Sequence, residues 1–125
     1  MITKITDLPT NIVGFRATGE VTQADFDEVV IPEVKKLVEQ TDVLNYMLVL
    51  DTPVSEFTFG AWFKDAVLGA QNLMKWNRAA IISDSEGVHN FTKVFSALMP
   101  GTFKAFNHAA MGQAVDWVSE KIDLD

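Results

Sequence analysis

Two short apolar runs decide the fold of this sequence: Tyr46-Met47-Leu48-Val49-Leu50, which is followed by Asp51, and Ala79-Ala80-Ile81-Ile82, which is followed by Ser83-Asp84. Each run is shorter than an ordinary helix and contains no charged residue. Continuous apolar runs of this kind are typical of central strands in a parallel sheet, where both faces are buried. We therefore predict that both runs lie in the middle of a sheet.

The residues on either side of these runs complete an alternation of strands and helices. Upstream, residues 2–5 and the alternating segment 13–18 predict an edge hairpin. Downstream, Thr102–Phe106 is the last predicted strand. Strands that alternate with helices imply right-handed crossovers. We therefore predict one α/β domain over residues 1–125, with a mostly parallel sheet of about five strands, an antiparallel N-terminal edge strand, and four helices.

Apolar residues three or four positions apart indicate the four helices. The first helix begins at a capping box formed by Thr22 and Asp25. Pro32 lies inside that helix, and because proline has no N–H we expect it to kink or split the helix. Asn107 is the predicted cap of the last helix. The other three helices are predicted over residues 59–74, 88–99 and 111–122, and Leu98 falls on the apolar side of the third.

Composition and charge narrow the range of partners. The chain has 10 basic and 17 acidic residues, a net charge of −7, which argues against nucleic acid and against electrostatic attraction to anionic lipid. It has no cysteine, which fits a reducing compartment. No apolar run is long enough to span a membrane, and the start of the sequence lacks the pattern of a signal peptide. We predict a cytoplasmic protein.

The whole chain resembles the SpoIIAA-like family in the order of its elements and in three features: Glu20-Val21-Thr22-Gln23-Ala24-Asp25-Phe26, Pro32 within the first helix, and Met47-Leu48-Val49-Leu50-Asp51. That family belongs with the STAS domains (sulfate transporter and anti-sigma factor antagonist) and is related in architecture to the lipid-binding SEC14 domains. The resemblance implies the SpoIIAA-like fold. It carries little information on function, because the shared features are mostly those of the fold.

Anti-sigma factor antagonists of that superfamily carry an Asp-Ser-Ser-Gly signature, in which a partner kinase phosphorylates a serine. The matching residues here are Phe57-Thr58-Phe59-Gly60. Phe59 stands at the phosphorylated place, and a phenyl ring cannot accept phosphate, so only Thr58 or Ser55 could substitute. The resemblance thus implies, as one alternative, a protein-interaction regulator in which Thr58 is the modifiable residue.

Aromatic residues gather at the second and third predicted helices, and two interpretations are open. As a binding site, they would line a hydrophobic cleft for a small apolar or lipid-like ligand, as the SEC14 resemblance implies, and the same helices would contact a membrane surface. As plain core, they would cover the sheet, which is the commoner role of such a stripe. The cluster comprises Phe57, Phe59, Trp62, Phe63, Phe91 and Phe95.

Polar residues stand where the predicted strands end, at the edge of an α/β sheet that usually carries the site. Asp51, Asp84 and His108 could form an acid/base or metal constellation there, although Asp, Ser and Asn directly before helices are also common caps. Glu20, Ser83 and Asn107 fall at the same edge. His89 has no second ligand at metal-binding spacing, so we interpret it as a solvated histidine.

These observations favour a binding domain over an enzyme. The sequence contains no phosphate-binding glycine loop, no nucleophile elbow and no zinc-binding His pair. We therefore predict a non-enzymatic domain, without cofactor or metal, that binds a small apolar or lipid-like ligand and associates peripherally with membranes. The alternative is a regulator of the anti-sigma antagonist type with a protein partner. A monomer and a homodimer fit the sequence equally well.

Overall fold

The computed structural model describes residues 1–53, 61, 75–99 and 101–120. They form a five-stranded sheet in the order β1-β2-β3-β4-β5. The strands are β1 (Ile2–Lys4), β2 (Val13–Ala17), β3 (Leu44–Leu50), β4 (Trp76–Ile82) and β5 (Thr102–Phe106). β1 pairs antiparallel with β2, and every other pairing is parallel. The predicted α/β sheet with an antiparallel amino-terminal edge strand is confirmed.

The described helices are α1 (Gln23–Asp25), α2 (Ile31–Thr41), α3 (Glu86–Leu98) and α4 (Met111–Ser119). A π-helical turn, Phe26–Val30, joins α1 to α2, and a 3-10 turn, His108–Ala110, leads into α4. The helix predicted over residues 59–74 lies outside the described residues. None of the helices in the described ranges is long and apolar enough to cross a membrane.

The first helix begins and divides as its sequence predicts. The Thr22 hydroxyl accepts a hydrogen bond from the Asp25 backbone N–H, and the Asp25 carboxylate accepts one from the Thr22 N–H, which completes the capping box. Pro32 lies in the first turn of α2, where its missing N–H costs least. The helix is divided by the π-helical turn just before Pro32. The last hydrogen bond of that turn runs from the Ile31 N–H to the Phe26 carbonyl.

All seven residues of β3 are buried, because the strand is covered on both faces of the sheet. Tyr46 and Leu48 pack on the first face, under α2 and α3, and Met47 and Val49 pack on the second face, under α4 and the segment 5–12. Burial of each such side chain contributes on the order of 1.5–3 kcal/mol to the free energy of folding. The continuous apolar run therefore reflects two cores that share one strand.

Aromatic rings cross the first face from β2 to α3. Neighbouring ring centroids lie 5.0–5.8 Å apart, within the usual range for interacting aromatic pairs. This aromatic ladder runs through Phe15, Tyr46, Trp76, Phe103, Phe95 and Phe91 in that order.

β3 and β4 each begin earlier than the apolar runs predict, because polar residues at their starts find partners inside the fold. The Asn77 side chain donates to the Asn45 side-chain oxygen at 2.9 Å, and the Asn45 amide donates to the Asn11 carbonyl at 3.3 Å. Asn45 is buried, and burial of an amide costs little once it is hydrogen-bonded. These amides join the starts of neighbouring strands to the loop before β2.

Gly101 sits at the entrance to β5 with φ +87°, and a Cβ atom there would lie 2.5 Å from the Trp76 carbonyl oxygen. We expect Gly101→Ala to lower the free energy of unfolding by about 2–3 kcal/mol, because it combines a left-handed backbone with a clash against a fixed strand. Urea unfolding measures the change.

Gly112→Ala is the matched control for this substitution. Gly112 lies in α4 with no atom within 4 Å of an added Cβ, so alanine there should raise stability by up to about 1 kcal/mol. Equal and small effects at the two positions would contradict the assigned strain at Gly101.

Candidate functional site

Four charged side chains meet where the parallel strands end. Arg16 lies near the end of β2, and Asp51, Asp84 and His108 follow β3, β4 and β5. His108 Nε2 lies 2.9 Å from Asp51 Oδ1, and His108 Nδ1 lies 3.2 Å from Asp84 Oδ2. The Arg16 guanidinium pairs with the other oxygen of Asp51. We call these four residues the strand-end network; their charges alternate along a chain that spans four strands.

The backbone around Asp84 explains why the network forms at this point. The Asp84 carboxylate accepts a hydrogen bond from the His108 backbone N–H at 2.9 Å, so it caps the 3-10 turn that begins there. Asn107, the predicted cap, stands at the capping position without a side-chain hydrogen bond, so that prediction is wrong. Ser85 caps α3, where its hydroxyl accepts from the Val88 N–H. Asp84 is thus held by the main chain while it pairs with the His108 ring.

The contacts within the network shift the pKa values of His108, Asp51 and Asp84. Burial lowers the pKa of His108, but the Asp84 and Asp51 carboxylates beside its two ring nitrogens outweigh it, and the net pKa is raised. Burial raises the pKa of Asp51, but Arg16 and His108 lower it by more. The His108 backbone N–H is the main cause of the lowered pKa of Asp84. All of these shifts favour the charged forms, so the network is self-consistent as ion pairs.

This arrangement stabilises charge better than it moves protons. Both ring nitrogens of His108 face carboxylates, so the protonated ring offers no lone pair to a substrate. The nearby Ser83 is buried, and its hydroxyl accepts from the Ser85 N–H. Among the described residues no three His, Cys, Asp or Glu side chains are placed to hold a metal ion. Asp51, Asp84 and His108 are close enough to act together on a substrate. Their pairing with one another does not favour acid/base catalysis, because each group is already engaged by its neighbour.

The other polar residues at this edge stand apart from the network. His89 is partly buried, and its Nε2 lies 2.5 Å from the Ser83 carbonyl oxygen, so the interpretation of a solvated histidine is wrong. Glu20 is exposed, and it is its backbone carbonyl that contacts the amino terminus. Sequence reasoning did not find Arg16. The signal was present, since Arg16 is the one charged residue in β2.

Two members of the predicted aromatic site fall within the described residues. Phe95 is 9% exposed and packs edge-on against Phe103, with ring centroids 5.4 Å apart. Phe91 is partly buried and stacks on Phe95 at 5.6 Å. Both rings therefore extend the aromatic ladder. The remaining members, together with the two candidate modification sites, lie outside the described residues: Phe57, Phe59, Trp62, Phe63, Thr58 and Ser55.

α3 carries more apolar surface than the core covers. Val94 is 65% exposed and Leu98 is 78% exposed, although Leu98 falls on the predicted apolar side of the helix. At 100° per residue both lie beside Phe91, on the side of α3 away from Ser96. We call Phe91, Val94 and Leu98 the α3 stripe. Val88, Thr92 and Phe95 face the sheet instead, which explains why Leu98 is left outside the core.

Comparison with known proteins identifies the family to which this fold is similar. A family model described as SpoIIAA-like matches residues 12–119. A search of curated proteins found no match. Among solved structures, the chain is similar to an uncharacterized protein from the DUF3478 family with a SpoIIAA-like fold, from Shewanella loihica PV-4. The two share 22% identity over 94% of this chain and 93% of the other, with a TM-score of 0.67.

The raised pKa of His108 and the lowered pKa of Asp51 predict how stability depends on pH. The His108 contribution is complete below its ordinary pKa of about 6.5 and is lost as the pH rises through the raised value. The Asp51 contribution is present above its ordinary pKa of about 3.9 and is lost as the pH falls through the lowered value. The stability advantage of the wild type over His108→Gln should therefore be greatest between about pH 4 and about pH 6.5 and decrease above that range.

Urea unfolding across this pH range measures the advantage. The Asp51→Asn/Asp84→Asn double variant is the control, because without carboxylates His108 gains nothing from its charge. In that background, His108→Gln should give a much flatter profile. A wild-type advantage that grows with pH above neutrality would contradict the assignment of His108 as a cation.

Proposed function

Because this chain belongs to the SpoIIAA-like family of STAS-type domains, we propose that it is a non-enzymatic regulator that binds a partner protein through the α3 stripe. The observation that carries the proposal is the exposure of Val94 and Leu98, 65% and 78%, on a helix that buries only its sheet-facing residues. Exposed valine and leucine side chains one turn apart offer a continuous apolar contact. Apolar residues at helical spacing are the surface on which a second amphipathic helix docks.

A protein partner fits the shape of the α3 stripe better than a small ligand does. Small-molecule sites are concave and bury most of the ligand. Val94 and Leu98 project outward instead, and only Phe91 is partly covered. Complete burial of such side chains at an interface contributes on the order of 1.5–3 kcal/mol each before the costs of association. Two exposed side chains and one half-buried ring form a small centre for a hydrophobic interface with a polar rim.

The strand-end network supports a non-catalytic role. Its four charges neutralise one another, and the imidazole that would serve as a base faces carboxylates at both nitrogens. In this proposal the network holds the strand ends in register, so that α3 is presented on a rigid support. Thr58 is the residue through which phosphorylation would regulate the partner, in keeping with the antagonist type of STAS domain.

Binding of a small apolar or lipid-like ligand is a second candidate function, and the partial burial of Phe91 favours it. Its ring joins the aromatic ladder on one side and the exposed stripe on the other, so it could line a cleft that continues from the core. The net charge of −7 opposes attraction to anionic bilayers. A membrane contact would therefore have to depend on apolar insertion alone.

The Val94→Asp/Leu98→Asp double variant tests the partner proposal. Both residues are exposed, so the free energy of unfolding should change by no more than about 0.5 kcal/mol for each substitution. Proteins captured from cell extract by the wild type and by the variant are compared by quantitative mass spectrometry, and binding of each candidate is then measured with purified components. At least one partner should bind the variant tenfold or more weakly.

Val43→Asp is the control, because Val43 is also an exposed valine, 40% exposed, and lies in the turn between α2 and β3 rather than on α3. It should leave the same partner unaffected. If every captured protein binds the stripe variant and the wild type equally, the α3 stripe is not the docking surface. Thr58→Glu should change the affinity for that partner if phosphorylation regulates it.

For the second candidate, purified wild-type protein is examined by native mass spectrometry after gentle desalting and by flotation with neutral and anionic liposomes. A co-purified apolar molecule that is lost in the Val94→Asp/Leu98→Asp variant and retained in Val43→Asp would favour ligand binding over a protein partner. Absence of both a bound molecule and flotation would exclude this candidate.

A further inference from the structure

β5 is an edge strand of the sheet, and its outer side is open at Ala105. The Ser83 N–H donates to the Phe106 carbonyl, so Phe106 directs its backbone groups toward β4. Phe103, three residues earlier, directs its N–H the other way, to the Ser96 hydroxyl of α3 at 2.9 Å. Backbone groups along a strand alternate in direction, so Ala105 points outward like Phe103. In the described ranges, its N–H and C=O have no protein partner.

A groove with a volume of about 500 Å³ runs beside this open backbone, between α3 and β5. Lys93 and His89 stand on the α3 wall, and Ser96 closes the end near Phe103. Phe103 and Ala105 contribute to the floor. We call this the edge groove. It lies on the opposite side of α3 from the α3 stripe, so the two surfaces are separate.

We propose that the edge groove binds an extended acidic peptide segment of a partner protein, which pairs antiparallel with β5 at Ala105. An unpaired edge residue exchanges both of its backbone bonds with one residue of an antiparallel guest strand. An extended peptide backbone supplies a donor and an acceptor that match the Ala105 N–H and C=O, whereas a phosphate backbone supplies acceptors alone. This requirement favours a peptide over a polyanion such as nucleic acid.

The charges on both sides of β5 select acidic guests. Alternate side chains of a guest strand point to opposite faces. Those on the α3 side enter the edge groove beside Lys93, and those on the other side reach Lys104, whose ammonium lies 5.2 Å from the Phe106 ring centre and 5.9 Å from that of Trp117. Both lysines are exposed in a chain of net charge −7.

The far end of the edge groove is negatively charged, so it determines where the acidic residues of the guest peptide can lie. A second hollow of about 320 Å³ adjoins it beyond His89 and is lined by Asp84 and Glu86. Carboxylates of the guest are repelled there and attracted near Lys93 and Lys104. Two copies of this acidic chain also repel each other, so pairing of β5 with β5 is disfavoured.

Amide hydrogen exchange and ¹⁵N NMR on the full chain test the proposal. The probe is a capped seven-residue peptide in which pairs of glutamates alternate with single valines, so that carboxylates point to both faces of the strand, and its counterpart has lysine in place of every glutamate. The acidic peptide should slow exchange of the Ala105 N–H at least tenfold and shift the signals of Lys93 and Lys104. The lysine peptide should do neither.

The Lys93→Glu/Lys104→Glu variant should bind the acidic peptide at least tenfold more weakly. Lys35→Glu/Lys36→Glu is the matched control, because it makes the same change in net charge at exposed residues of α2 and should leave binding unchanged. The Val94→Asp/Leu98→Asp variant should also bind the peptide normally, which separates this site from the proposed function.

Several outcomes would overturn the proposal. One is unchanged exchange at Ala105 with millimolar acidic peptide, and another is equal binding of the lysine peptide. An equal loss of binding in the α2 control would show that attraction is non-specific. Protection of Ala105 that rises with protein concentration in the absence of peptide would assign the edge to a second copy of this chain.

Discussion

The burial of β3 on both faces is the constraint on which the rest of the structure depends. Six of its seven residues are apolar or aromatic and belong to one core or the other, so cover is required on two sides at once. α2 and α3 supply it on the first face, and α4 with the segment 5–12 supplies it on the second. Parallel pairing with β2 and β4 then aligns the carboxyl ends of the central strands at one edge. The strand-end network exists because of that alignment.

Much of this architecture is readable from the sequence because it depends on local patterns. The last strand, Thr102–Phe106, has the predicted bounds, and the capping box and the division near Pro32 are both present. The starts of β3 and β4 were missed for a physical reason: Asn45 and Asn77 interrupt the apolar pattern and satisfy each other across the two strands. A partner 32 residues away leaves no local trace in the sequence.

The candidate sites were less predictable, because they depend on where side chains and backbone groups point as well as on where the residues lie in the sequence. Strand order alone brings Asp51, Asp84 and His108 to one edge, as expected. It does not predict that the Asp84 carboxylate accepts a hydrogen bond from the His108 backbone N–H. The periodicity of α3 does not show that Leu98 lies outside the core, since spacing alone does not tell that Val88, Thr92 and Phe95 are the residues that face the sheet. Lys93 and Lys104 resemble ordinary surface lysines until the open side of β5 is known.

The helices that cover the two faces of the sheet are synthesised at different times. In right-handed crossovers between strands laid down in consecutive order, the connecting helices fall on the same side, as α2 and α3 do. The opposite side has only the segment 5–12 as cover until α4, which leaves the ribosome after all five strands. A nascent chain at that stage carries a sheet whose second face lacks the contacts that Ala114 and Val118 of α4 make in the folded protein. Chaperone contact or mispairing with another nascent chain would concentrate in that interval.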